Sequence, residues 1–237
     1  VVAAVVLATW IISTAAVWRI EHGLAPTEPE PDAPGFWEGL VEVWSDARAR
    51  RFTVFVFLSM TAYFMQELIL EPYAGLVFAF TPGESTSLSG AQNGGVFVGM
   101  ALVGIAATGL KLGSLRGWVV AGCIGSAAAL GAIAALGPLG TGAPLVPAVV
   151  ALGFFNGMFA VAAIGSMMAL AGQGRERREG TRMGLWGAAQ AIAAGAGGLL
   201  GAASADILRV SLGADAPAFG VVFLFEAAIF LAAALVA

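Results

Sequence analysis

The chain has 237 residues, of which 59% are hydrophobic and 11% charged, with a mean hydropathy of +0.90 and a formal net charge of −4. Soluble domains run at about 45–50% apolar with glycine counted and about 25% charged, so a water-soluble globule of this composition would lack the polar surface to cover itself. Lipid is the expected solvent, which excludes soluble enzymes, nucleic-acid binders and secreted domains together.

Seven stretches approach the roughly 20 apolar residues that a spanning helix needs: 1–18, 52–80, 91–110, 117–136, 145–171, 183–205 and 218–236. None shows the alternation of a membrane barrel strand, so the fold class expected is an all-α integral membrane bundle. The first stretch opens without Met or a basic flank and is not a signal peptide. The last is still apolar at 231–237, and both ends read as cuts through a longer protein. Cys123 lies alone inside an apolar run and reads as a small buried hydrophobe, so no disulfide framework is available.

Between the first and second spans lies a long polar segment, 19–51, whose Glu28-Pro29-Glu30-Pro31-Asp32-Ala33-Pro34 is acidic and Pro-rich and reads as an extended linker. Its end, 36–51, carries Phe36, Trp37, Leu40, Val41, Trp44 and Ala47 at helical spacing, with Asp46 and Arg50 four apart. This amphipathic helix either lies in the headgroup plane or packs on the end of the bundle. If the first span enters from outside, every second loop is cytoplasmic. Those loops hold Arg19, Arg48, Arg50, Arg51, Lys111, Arg116, Arg175, Arg177, Arg178 and Arg182, leaving only Arg209 of the eleven basic residues on the other side. That bias is the signature of a cytoplasmic face and supports seven spans, with the linker and C-terminus inside.

The second span carries the first candidate site. Charge within a span is expensive, about 2.5–3.5 kcal/mol per residue on insertion scales, and is functional by default. Glu67 and Glu71 stand one turn apart and share a face, flanked by Tyr63 and Ala74 with Gln66 beside them. Counted from Arg51 at ~1.5 Å per residue, Glu67 lies about 24 Å in and Glu71 about 30 Å, near the outer headgroups. Pro72 follows at once and is expected to kink or end the helix by freeing the Leu68 carbonyl, an arrangement resembling the broken-helix sites of transporters. Glu71 also reads as an ordinary helix-end carboxylate.

The loop 81–90 is expected to cap the outer side, with Pro82-Gly83 as a turn and Ser87 or Ser89 as N-cap of the next helix. Its Glu84 and Ser87 are candidate outer contacts. Small residues recur four apart at Gly95/Gly99, Gly153/Gly157, Gly180/Gly184 and Gly197/Gly201, spacing that permits close helix approach in lipid. The glycine-rich 195–201 sits within a span, with the wrong spacing for a dinucleotide loop. Asn93, Asn156 and Gln190 add polar groups. Glu226 lies about eight residues into the last span, with no Lys or Arg in any span to pair with it. It is expected to be protonated in lipid, where desolvation penalises the charged form, and either carries a proton or donates a hydrogen bond between helices. The single histidine, His22, is in the linker, no Cys/His cluster exists for zinc, and enzymatic chemistry is not expected.

The stretch QELILEPYAGLVFAFTPGESTSLSGAQNGGVFVGM (66–100), preceded by ARRFTVFVFLSMTAYFMQ (49–66), closely resembles the PucC/LhaA family of photosynthetic bacteria, the bacteriochlorophyll-delivery relatives of the major facilitator superfamily. The similarity is densest over 49–118 and extends toward 237. Members often carry Asp at the position of Glu67, which keeps the carboxylate. The resemblance implies a major-facilitator-like bundle of twelve helices in two halves. On that division 1–20 is the last helix of the N-terminal half, 21–51 the cytoplasmic linker with its amphipathic helix, and 52–237 the six-helix C-terminal half. The basic turn 109–117 looks like a degenerate form of the superfamily's cytoplasmic loop and lacks its Asp.

Two functions follow from the resemblance. In the first, the protein is an assembly factor for light-harvesting antenna complexes in the bacterial inner, photosynthetic membrane. It would hold antenna polypeptides, the reaction-centre–antenna complex, or bacteriochlorophyll in transit; carotenoid or lipid are further ligands. In the second it is a proton-coupled secondary transporter of a tetrapyrrole or other amphipathic solute, with Glu67 or Glu226 as the coupling group. Without a histidine in any span, a pigment's magnesium, which accepts oxygen ligands, would turn to Glu67, Glu71, Asn93, Asn156, Gln190, a backbone carbonyl or water.

Overall fold

The computed structural model describes residues 2–17, 41, 44–171 and 179–237. The chain divides into two compact units, Val1–Gly35 and Phe36–Ala237. The first contributes helix α1 (Val2–Val17), whose 16 residues include the exposed Val6, Leu7, Trp10, Ile11 and Ile12. The acidic linker with His22, and Phe36, Trp37 and Leu40 of the amphipathic segment, lie outside the described residues, as do Arg19, Arg175, Arg177 and Arg178.

The second unit holds α2 (Ala47–Phe78), α3 (Pro82–Val103), α4 (Leu115–Leu136), α5 (Leu145–Ala171), α6 (Glu179–Leu212) and α7 (Asp215–Val236). All six are long and apolar enough to cross a membrane, and the chain is a multi-pass membrane protein. Its main helix contacts are α3 on α5, α2 on α6, α4 on α5 and α7, and α2 on α7.

Asp46 starts α2 in a way the four-residue spacing to Arg50 does not suggest. It stands outside the helix as N-cap, accepting from the amides of Arg48 at 2.9 Å and Ala49 at 3.4 Å, and its other oxygen takes Arg182 of α6 at 2.9 Å. Arg50 instead donates to the Trp44 carbonyl at 3.3 Å. Desolvation works to raise the Asp46 pKa, but the two amides and Arg182 outweigh it and hold the carboxyl below its usual range. Arg182 also donates to the Leu170 carbonyl at 2.9 Å, so one guanidinium ties together the starts of α2 and α6 and the end of α5.

Two expectations are corrected further along. Pro72 does not end α2, which runs on to Phe78 and closes with Ala79 in the left-handed region (φ 58°). The segment 81–90 is not a loop but the first turns of α3. Thr81 and Glu84 form a reciprocal capping box, with Pro82 placed where its missing N–H is not needed. Ser87 and Ser89 are therefore not N-caps. Thr86 and Ser87 return their hydroxyls to the carbonyls of Pro82 and Gly83, both at 2.9 Å, which lets polar residues continue a helix toward lipid.

The small-residue pairs separate into two kinds. Gly95 and Gly99 of α3 face the backbone of Val150 and Phe154 on α5, while Gly153 and Gly157 of α5 face Gln92 and Val96 on α3, so the two motifs interlock. Gly197 and Gly201 of α6 approach α2 so closely that an added Cβ would stand 2.7 Å from the Thr61 oxygen and 2.6 Å from that of Met65. Gly180 and Gly184 have nothing within 4 Å among the described residues, so their spacing reports no packing there. The third seam is aromatic. Tyr73 of α2 donates to the Ile133 carbonyl of α4 at 2.8 Å and stacks edge-on with Phe223 of α7, ring centroids 4.9 Å apart.

Gly99→Ala should destabilise the protein by about 1–3 kcal/mol through overpacking against the α5 backbone. Gly94→Ala, whose added carbon meets open space, should be neutral or stabilise by about 0.5–1 kcal/mol. Thermal unfolding in detergent reads both; equal effects would refute the interlock.

Candidate functional site

Three of the polar residues singled out from the sequence meet in one place. Tyr63 of α2, Asn156 of α5 and Gln190 of α6 line a cavity of about 250 Å³, walled by Val96 and Met100 of α3 and by Phe52, Met60, Phe64, Phe159 and Met167. The α3–α5 interlock sets this wall. Val96 and Met100 each follow a packed glycine, and Asn156 precedes Gly157, so backbone contact on one side of each helix fixes the side chains on the next.

Asn156 is 1% exposed, and its oxygen accepts from Ser126 of α4 at 2.8 Å. Its amide nitrogen has no partner. Buried amides are normally satisfied, so this leaves an N–H donor in the cavity wall rather than the oxygen a magnesium ligand would need. Gln190 is exposed and Tyr63 half-buried; no hydrogen-bond partner holds either side chain among the described residues. The cavity therefore presents a largely apolar, methionine- and aromatic-rich lining with a few hydrogen-bonding groups, the usual make-up of a small-molecule site. Methionine lets such a wall adapt to irregular shapes.

Glu67 and Glu71 are not in the cavity. They continue its α2 stripe outward, since Tyr63, Glu67 and Glu71 follow at four-residue steps, and both are exposed. Glu71 accepts from Ser89 of α3 at 2.6 Å, which joins two residues weighed separately in the sequence. Glu67 has no hydrogen-bond or ion-pair partner among the described residues. Ala74, expected on the same face, is fully buried. Asn93 is exposed on α3 and donates to the Ser89 carbonyl at 3.0 Å. Glu84 and Ser87 lie at the α3 start, where their bonds are local.

Gln66 and Glu226 form a separate, buried polar pair of positions. Both are 0% exposed, and all four of their side-chain oxygen and nitrogen atoms lack partners. Gln66 lies two turns below Tyr73 on α2, and Glu226 one turn beyond Phe223 on α7, the ring that Tyr73 touches. Register thus puts both on the α2–α7 seam. Gln66 adjoins Glu67, about 100° from it around the helix, but is buried where Glu67 is exposed.

What the sequence did not reveal is the support around these groups: Ser126 behind Asn156, and Thr53 accepting from the buried Trp186 indole at 3.1 Å behind Phe52. Polar residues regularly spaced within apolar runs were the available signal.

Replacing Glu226 with Leu should raise stability, because an unpartnered buried carboxyl costs more than an apolar group of similar size. A fall in melting temperature in detergent would show that Glu226 has a partner in the folded protein.

The family described as "PUCC protein" matches residues 1–237. The chain is 65% identical over its whole length to the "Bacteriochlorophyll synthase 44.5 kDa chain" of Rhodobacter capsulatus, covering 55% of that protein. It is 26% identical over 86% of its length to "Protein PucC" of Rhodovulum sulfidophilum and 29% identical over 88% to "Protein PucC" of Cereibacter sphaeroides, covering 45% and 44% of them. The chain thus spans about half the length of the curated relatives it matches. No solved structure matches it.

Proposed function

The chain belongs to the PUCC protein family, and from that premise we propose that it is part of an assembly factor for bacterial light-harvesting antenna complexes, acting in the photosynthetic inner membrane with its linker and C-terminus in the cytoplasm. It binds bacteriochlorophyll or antenna polypeptides within the bilayer and passes them on. The observation that carries this reading is the cavity lined by Tyr63, Asn156 and Gln190, with the exposed Glu67 and Glu71 following Tyr63 along α2.

The chemistry suits transient holding. At about 250 Å³ the cavity lies just under the usual range of roughly 300–1,000 Å³ for ligand sites, so it takes one edge or the tail of a tetrapyrrole and leaves the rest against the exposed face. The unpartnered Asn156 N–H suits a carbonyl acceptor on that edge, and Tyr63 and Gln190 add adaptable donors. The magnesium is left to water, a backbone carbonyl or the exposed carboxylates Glu67 and Glu71, which favours exchange over permanent retention. Exposed apolar side chains beside the cavity, Phe97, Val98 and Ile164 among them, suit an antenna helix or a reaction-centre–antenna complex docking through lipid. A carotenoid or lipid fits the same wall.

Asn156→Leu and Gln190→Leu should each lower the antenna absorption of native membranes severalfold, and Glu67→Gln with Glu71→Gln should lower it further. Ser211→Ala, far along α6, should leave it unchanged. Wild-type antenna levels with normally abundant variant protein would remove the cavity from the account.

One observation favours a second reading, a proton-coupled transporter of a tetrapyrrole or other amphipathic solute: the buried, unpartnered Glu226. Solute flux into vesicles should then follow an imposed pH gradient and stop in Glu226→Leu. Flux indifferent to the gradient would remove the coupling.

A further inference from the structure

A second cavity, about 420 Å³, lies at the basic end of the bundle among the starts of α2 and α4 and the ends of α5 and α7. Arg48, Arg51 and Arg116 line it, and among the described residues no carboxylate side chain does. Asp46, close by in sequence, is already engaged by Arg182 and two backbone amides. Arg51 donates to the Val236 carbonyl at 3.2 Å, while the Arg48 and Arg116 guanidinium groups have no partner among the described residues. At the other end of the bundle the arrangement is the reverse: Arg209 is paired with Asp215 at 2.6 Å and Asp206 at 3.5 Å.

Three guanidinium groups gathered with no counter-charge among the described residues repel one another and raise the local concentration of anions. The planar fork of arginine matches the oxygens of a phosphate. Arg51 and Arg116 sit in the first turns of long apolar helices, at the boundary where headgroup phosphates lie. Beside them Phe52, Leu115 and Leu170, all half-buried, turn apolar surface to the same cleft. A freely hydrated anion has no use for those walls, whereas an anion joined to an acyl chain does. We propose that this cleft binds the phosphate of an anionic phospholipid, with the three arginines on the headgroup and Phe52, Leu115 and Leu170 against the first methylenes. This site is independent of the pigment and antenna assignment.

The test is native mass spectrometry of the full-length protein titrated with phosphatidylglycerol, with phosphatidylcholine, and with millimolar inorganic phosphate. Phosphatidylglycerol should be retained well above phosphatidylcholine, and inorganic phosphate should not displace it. The triple change R48Q/R51Q/R116Q should weaken phosphatidylglycerol binding by about a hundredfold and leave phosphatidylcholine binding alone, with the lysine versions intermediate. Equal retention of the two lipids by the unaltered protein would overturn the proposal. So would displacement by phosphate, which would mark a free-anion site, or full retention by the triple variant with its unfolding temperature unchanged.

Discussion

In lipid, apolar side chains gain nothing by leaving the solvent, so helices must be held by close contact and by polar groups that find one another. The interlock of Gly95 and Gly99 on α3 with Gly153 and Gly157 on α5 meets that demand, because each glycine admits the backbone of the opposite helix. The same constraint shapes the cavity: two backbones in contact leave their neighbouring side chains diverging, and Val96, Met100 and Asn156 stand where they diverge. A larger residue at any of the four positions would move the wall of the candidate site as well as weaken the bundle.

Polar groups in the bundle fall into two populations. One serves the fold: Tyr73 on the Ile133 carbonyl, Trp186 on Thr53, and Ser126 on Asn156 each join two helices. The other is left over among the described residues, comprising the Asn156 amide nitrogen, Gln66 and Glu226. Desolvated groups without partners are retained against a free-energy cost, which is why they are the best markers of binding or proton chemistry here. Charge at the bundle ends follows the same division, with Arg182 and Arg209 paired and the arginines of the cleft left without acids among the described residues.

The six long helices were legible in the sequence because run length against charge is a direct consequence of bilayer thickness. The beginning of α3 was not. Thr81 to Ser89 has loop composition, and only the reciprocal Thr81–Glu84 bonding makes it helix. Of the two outcomes expected at Pro72, a kink or a helix end, the end does not occur, since the helix runs on to Phe78. Of the candidate site, the polar residues were visible singly, but not that Tyr63, Asn156 and Gln190 converge while Gln66 is buried next to the exposed Glu67. Helical periodicity assigns faces within one helix; which faces meet depends on packing among four.

A protein that holds pigment or antenna polypeptides in transit, as proposed above, should carry some of both when taken from the membrane where it acts. The most direct test is to purify the full-length protein from native photosynthetic membranes in mild detergent, record its near-infrared absorption, and identify the polypeptides in the same sample. Substoichiometric, exchangeable bacteriochlorophyll together with antenna polypeptides is expected, both diminished in the Asn156→Leu protein. A colourless preparation free of antenna polypeptides would contradict it.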